Sequence, residues 1–297
     1  MLFGEFIGFN LNDFELYAEN KQTLALFNSK RFLVAKKLEE IGEKLSSNLN
    51  ESSYDVSPSS PSVWNHNKVS NQVLYFIRKE SEQKKLESFI TKEVSIKGYI
   101  EDPAIYHNHV MIGTKISEND LSIYVHLNNN AIIDYKNLIN KLDYDGHNTE
   151  FSEIIPNDAR VLDENLNEIS LEVLKNEKIK NKESFSIGYS IAKTDEILNS
   201  EELLTKIEEY IESLKPIFDF IQWNSVNDYI EMNKVVKETV IKVKQAGLKV
   251  GDEVLVRDDF LFAGKRAIIS KITKSGTASI TVNGIHTKID ASKLSKV

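Results

Sequence analysis

The chain has 297 residues, enough for one large domain or two ordinary ones with a sizeable core. Its apolar share of 41% and charged share of 28% are those of a soluble globular protein, and no apolar run approaches the ~18 residues that a membrane span needs. The formal net charge is −8 and there is no cysteine, which excludes disulfides and thiolate chemistry.

The opening MLFGEFIGF lacks the basic start and long apolar core of a signal peptide, so a cytoplasmic protein is expected. Residues 10–49 read as helical. Leu24, Phe27, Val34, Leu38, Ile41 and Leu45 keep to one stripe, and Asn12-Asp13 is placed to cap a first short helix. The stretch 50–62, NESSYDVSPSSPS, combines serines with Pro58 and Pro61 and reads as a mobile loop. A strand follows over Val73–Ile77, and residues 84–97 fit helix and strand equally.

The clearest central feature runs from Ala104 to Leu127. The even positions Tyr106, Val110, Ile112 and Ile116 are mostly apolar, as are the odd positions Leu121, Ile123, Val125 and Leu127. Ser117-Glu118-Asn119-Asp120 supplies turn chemistry between them, so an antiparallel hairpin with one face on a core is expected. A helix from about Ile132 to Leu142 comes next. Residues 143–183 are polar and read as loops with one short helix, and Ser184–Ala192 returns to strand character. Asn199 and Glu202 have capping-box spacing ahead of Leu204, Ile207, Ile211 and Leu214, and Pro216 should end or kink that helix near Lys215. Residues 224–246 read as a helix connecting a body, 1–223, to a terminal module, 247–297.

In that module Val254, Val256, Ile268, Ile272, Ile280 and Val282 fall in short β-branched runs. Gly251, Gly264, Gly276 and Gly284 punctuate them, and Asn283-Gly284 is a strong two-residue hairpin signal, because its turn needs positive φ at both positions. Four or five short strands in about fifty residues are stable only when they close on one another, so a small SH3-like barrel is expected. The predicted fold class is therefore α+β, a mixed helix and sheet body with an all-β C-terminal barrel.

Gly251-Asp252-Glu253-Val254, then Phe262-Ala263-Gly264-Lys265 and Ile268–Ile272, resemble a KOW-type barrel of the kind found in NusG-type and some MutS-type proteins. The chain departs from that signature at Ala267, where a glycine is usual. The resemblance implies binding of RNA, DNA or protein; no cofactor is expected. Phe9, Asp13, Phe14, Ile41, Gly42 and Leu45 also give the first fifty residues a resemblance to the uncharacterised YktB-like proteins, which carry no activity to transfer.

Charge separates the two parts. Residues 248–297 hold nine Lys or Arg and five Asp or Glu, a net of +4, which leaves −12 for residues 1–247. A basic module on an acidic body suits contact with a polyanion, since Lys and Arg that neutralise phosphates release counterions. Arg257, Lys265, Arg266, Lys271, Lys274 and Lys288 are the candidate contacts; a solvated face that keeps a small barrel soluble accounts for the same residues.

The best catalytic constellation lies on the central hairpin. His107 and His109 are two apart and should share a face, and register parity brings His126 to it. Three imidazoles there could hold a transition metal for a hydrolase or nuclease, although polar residues on a half-solvated strand need no role. Phosphate-loop, H-E-x-x-H and G-x-S-x-G motifs are absent. The leading expectation is a non-enzymatic binding or adaptor protein whose barrel contacts nucleic acid or a protein partner. A metal-dependent hydrolase on the histidine face and a structural or assembly protein are the alternatives.

Overall fold

In the computed structural model the alternating runs Met111–Ser117 (β3) and Asp120–Leu127 (β4) pair antiparallel at the centre of a sheet, as their period predicts. The structure describes residues 8–47, 49, 52–62, 65–84, 86, 105–144, 146–230, 247–257, 262–273, 277–282 and 284–297. The chain divides into two units, Met1–Asn227 and Asp228–Val297, and its class is α+β. The connecting helix expected over 224–246 lies mostly outside the described residues, as does the ambiguous stretch 84–97. No described helix is long and apolar enough to cross a membrane.

The first unit holds a six-stranded antiparallel sheet of order β1-β2-β3-β4-β6-β5, with β1 Ser52–Val56, β2 Asn71–Arg78, β5 Arg160–Asp163 and β6 Phe185–Ala192. Two of these strands correct the sequence reading. β1 falls inside the serine- and proline-rich stretch expected to be a loop, and β5 falls in the polar region expected to be loops with one helix. β1 pairs along its whole length with β2 and β5 with β6, so the neighbour rather than the local composition makes each a strand.

One face of the sheet is apolar. Leu74, Phe76, Ile112, Ile123, Val125 and Ile187 lie on it, fully buried under helices. Helix α2 (Asn28–Leu45), preceded by the one-turn α1 (Leu11–Phe14), covers β1 and β2, and buries Val34, Leu38, Ile41 and Leu45 of the expected stripe. Leu24 of that stripe stays exposed. Asn10 caps α1, rather than Asn12: it accepts from the Asn12 amide at 2.9 Å while Asp13 accepts from the Asn10 amide at 3.0 Å. Arg31, buried in α2, donates to the carbonyls of Leu16, Lys21 and Leu24 and so ties the N-terminal arch to the helix.

Helix α3 (Ile132–Leu142) forms where expected, followed by α4 (His147–Glu153). Helix α5 (Glu202–Ile221) lies across β3, β4 and β6. It continues past Pro216 to Ile221, so the helix does not end near Lys215 as one of the two expected outcomes had it. Pro216 and Glu212 are both exposed, so the carbonyl freed by the missing N–H faces water, while Ile217, Phe218, Phe220 and Ile221 stay in the core and hold the last turn helical. Asn199 belongs to a preceding 3₁₀ turn and does not cap α5, whose N-cap position is Glu201.

Beneath the helices sits a buried ion pair. Asp134 of α3 takes both a guanidinium contact from Arg78 of β2 and backbone amides from Val110 and Trp223, the latter two at 2.8 Å each. Arg78 also donates to the Trp223 carbonyl at 2.9 Å. Both side chains are 0% exposed, and the pair joins β2, the entry to β3, α3 and the chain just after α5.

The second unit has a five-stranded antiparallel sheet of order β10-β9-β8-β7-β11: β7 Glu253–Val256, β8 Arg266–Ile272, β9 Thr277–Val282, β10 Ile285–Asp290 and β11 Leu294–Lys296. A 3₁₀ turn, Ala291–Lys293, joins the last two. Val254, Val256, Ala267, Ile269, Ile280 and Val282 point to a separate apolar cluster. Gly284, at φ +82°, supplies the left-handed residue that the tight β9–β10 turn requires.

Candidate functional site

The histidine face does not assemble as the sequence suggests. His107 lies in a 3₁₀ turn, Ile105–Asn108, ahead of β3, so it and His109 are not on one strand. His109 is buried, 4% exposed, and its Nδ1 has no hydrogen-bond partner. Burial, with the Arg78 guanidinium second, pushes its pKa down to about 3. The period-two argument fails at Tyr106–Asn108, because a helical turn replaces the strand and rotates the two side chains apart.

His107 and His126 do come near each other, with ring centroids 6.3 Å apart. His126 Nδ1 lies 2.9 Å from Ser186 Oγ on the neighbouring strand. Tyr106 packs on His107 and on Tyr75, each at 4.4 Å, beside the buried cluster of Val73, Ile77, Met111 and Tyr124. This second face of the sheet is therefore aromatic packing with two histidines in it. Among the described residues no three of His, Cys, Asp and Glu gather where they could hold a metal ion.

The same face carries a polar group that spacing alone did not reveal. Asp120 accepts hydrogen bonds from Ser117, from Ser122 at 2.8 Å and from Ser190 at 2.6 Å. Burial alone would raise its carboxyl, but the three hydroxyls, helped by Lys115, hold it below the usual carboxylate range. Lys115, next to it, is lowered by desolvation and sits with its ammonium 5.4 Å from the Tyr124 ring. Ser190 is seventy residues from Asp120, so no local motif exposes the cluster. It fastens the β3–β4 turn to β6.

His109 gives a pH prediction. Its folded pKa lies below its unfolded value near 6.5, so the unfolded chain binds the extra proton between about pH 6.5 and 3. The stability that neutral His109 contributes is thus fully present above about pH 6.5 and is lost as pH falls toward 3. Urea midpoints at pH 7, 5 and 4 should fall less steeply in His109→Gln than in the native chain; equal slopes would show that His109 titrates normally.

In the second unit the register defines the exposed face. Val254, Val256, Ala267, Ile269, Ile280 and Val282 point inward, so their neighbours point out. Three rows result. Leu255 lies beside Arg266; Glu253, Ile268, Thr281 and His286 form a second row; Lys271, Ser279 and Lys288 form the third. An irregularity between Ile269 and Lys271 restores Lys271 to the outward set. Arg257 and Lys265 are exposed at the same end as Arg266, since the Val256 amide bonds the Lys265 carbonyl at 2.9 Å. Arg266 reaches Glu253 at 3.3 Å across an exposed pair, which contributes little and leaves the guanidinium open to a stronger anion. Lys274 lies outside the described residues. Ala267 faces inward, 2% exposed. No family model and no curated protein matches the chain.

Proposed function

We propose that this chain is a non-enzymatic binding protein whose C-terminal module contacts nucleic acid. The observation that carries the reading is the row Lys271–Ser279–Lys288, two exposed ammonium groups on alternate strands of a unit with a net charge of +4 over residues 248–297. Strands lie about 4.8 Å apart, which puts the two lysine backbones roughly 10 Å from each other on one face. Long cationic side chains so placed can each neutralise a phosphate of the same polyanion. The strand order, with the fifth strand beside the first and a 3₁₀ turn leading into it, supports the SH3-like, KOW-type reading of the module. Cytoplasmic residence is part of the same reading, supported by a cysteine-free chain.

Fluorescence anisotropy of labelled duplex DNA, single-stranded DNA and RNA with the full chain tests this. The double substitution Lys271→Glu/Lys288→Glu should weaken binding by at least about tenfold and reduce the slope of log affinity against log salt by about 2. A native chain that binds none of the three at low salt would overturn the reading and leave the module as a protein-docking unit.

A further inference from the structure

The candidate cations are sorted into two groups by the fold. Arg257, Lys265 and Arg266 stand at the start of β8 and the end of β7, while Lys271 and Lys288 stand at the far end of β8 and across β9 from it. At roughly 3.3 Å per residue, Arg266 and Lys271 are about 15 Å apart along the strand. The row between them carries no Lys or Arg: it holds Ile268, 56% exposed, with Thr281, His286 and the carboxylate of Glu253. Thr281 Oγ1 and His286 Nδ1 are 2.9 Å from each other, so the two polar groups of that row are already engaged together.

Aromatic content points the same way. Residues 248–297 contain no Tyr or Trp and only two Phe, Phe260 and Phe262. Phe262 packs against the module's own core and Phe260 lies outside the described residues. Surfaces that hold single strands stack successive bases on exposed rings, each worth about 1–3 kcal/mol. Among the described residues, the outward rows of this sheet offer aliphatic, hydroxyl and imidazole groups in place of such a platform.

Resting on the proposed nucleic-acid reading, we infer that the ligand is a double-stranded nucleic acid whose two phosphate rows are held by two separate cationic clusters. The strand positions that carry the two clusters lie about 15 Å apart, comparable to the spacing of the nucleic-acid strands that border a groove about 6 to 12 Å wide. The Ile268 row then faces the groove mouth without reading base edges. Recognition is by backbone position and tolerates sequence, because the contacts are to phosphates.

The test compares the full chain with Lys265→Gln/Arg266→Gln and with Lys271→Gln/Lys288→Gln. All four side chains are exposed, so melting temperatures should match the native chain and report intact folding. Anisotropy is read on a labelled duplex of about two turns and on each of its separated strands. The native chain is expected to bind the duplex at least roughly tenfold tighter than either strand, and each pair of substitutions to reduce the duplex salt slope by about 2. Tighter or equal binding of the single strands would overturn the two-cluster inference while leaving the nucleic-acid reading standing. So would a slope that responds to only one of the two pairs. No binding of any probe by the native chain would overturn the nucleic-acid reading itself.

Discussion

Asp134→Ala is expected to destabilise the first unit by about 3–5 kcal/mol, the range for removing one partner of a buried ion pair. The carboxylate accepts from the Arg78 guanidinium and from the Val110 and Trp223 amides, and both charged side chains are 0% exposed. Alanine would strand a buried cation and two buried amide donors at once, and water cannot reach them to compensate. Both tryptophans, Trp64 and Trp223, belong to the first unit, so tryptophan fluorescence during urea unfolding follows that unit. The double substitution Arg78→Met/Asp134→Leu should recover only the part of the loss that comes from the stranded cation, because the Val110 and Trp223 amides still lack their acceptor. A single-variant loss below about 1 kcal/mol would mean that the four elements the pair joins hold together without it.

Gly188→Ala is the second large effect. In the register Gly113, Tyr124 and Gly188 lie side by side on β3, β4 and β6. A Cβ on Gly188 would sit 2.1 Å from the Ile123 carbonyl oxygen and 2.6 Å from the Tyr124 Cα, both backbone atoms of the adjacent strand. Gly113 meets the same obstacle at the Leu74 carbonyl oxygen, also 2.1 Å. No flexible side chain can swing aside, so β4 and β6 would have to separate. A cost near the upper end for overpacking, about 3 kcal/mol, is expected. In a domain of this size that corresponds to a fall in melting temperature of roughly 10 °C. Melting within about 2 °C of the native chain would show that the strands yield easily at that point.

These two effects concern the acidic first unit, whereas the proposed binding concerns the basic second one. The separation is useful. Substitutions at Lys271 and Lys288 should change affinity and leave the tryptophan-reported unfolding where it was, since both tryptophans lie in the other unit. His107, His109 and His126 belong to the first unit: His109 is a core residue beside Arg78, and its substitution acts on stability against pH.

Several features follow from the sequence alone because they rest on short-range regularity. The β3–β4 hairpin, helix α3, strand β6 and the inward residues of β7 and β9 each repeat an apolar residue at the period of their element, and that period is written in consecutive positions; on β8 the expected Ile268 instead faces out, and Ala267 and Ile269 face in. The basic character of residues 248–297 is likewise a matter of counting. Tertiary structure decided the rest. Strands β1 and β5 exist because β2 and β6 offer hydrogen-bonding edges to them, which polar local sequence does not announce. Helix α5 continues past Pro216 because four later side chains are held in the core. The histidine triad came apart because one 3₁₀ turn ahead of β3 replaced a strand and turned His109 inward. Asp120 found Ser190, and Lys271 its place opposite Ser279 and Lys288, only through strand pairing. Periodicity fixes which side of an element is apolar, but which distant residues share a face depends on register, and register is set by partners far along the chain.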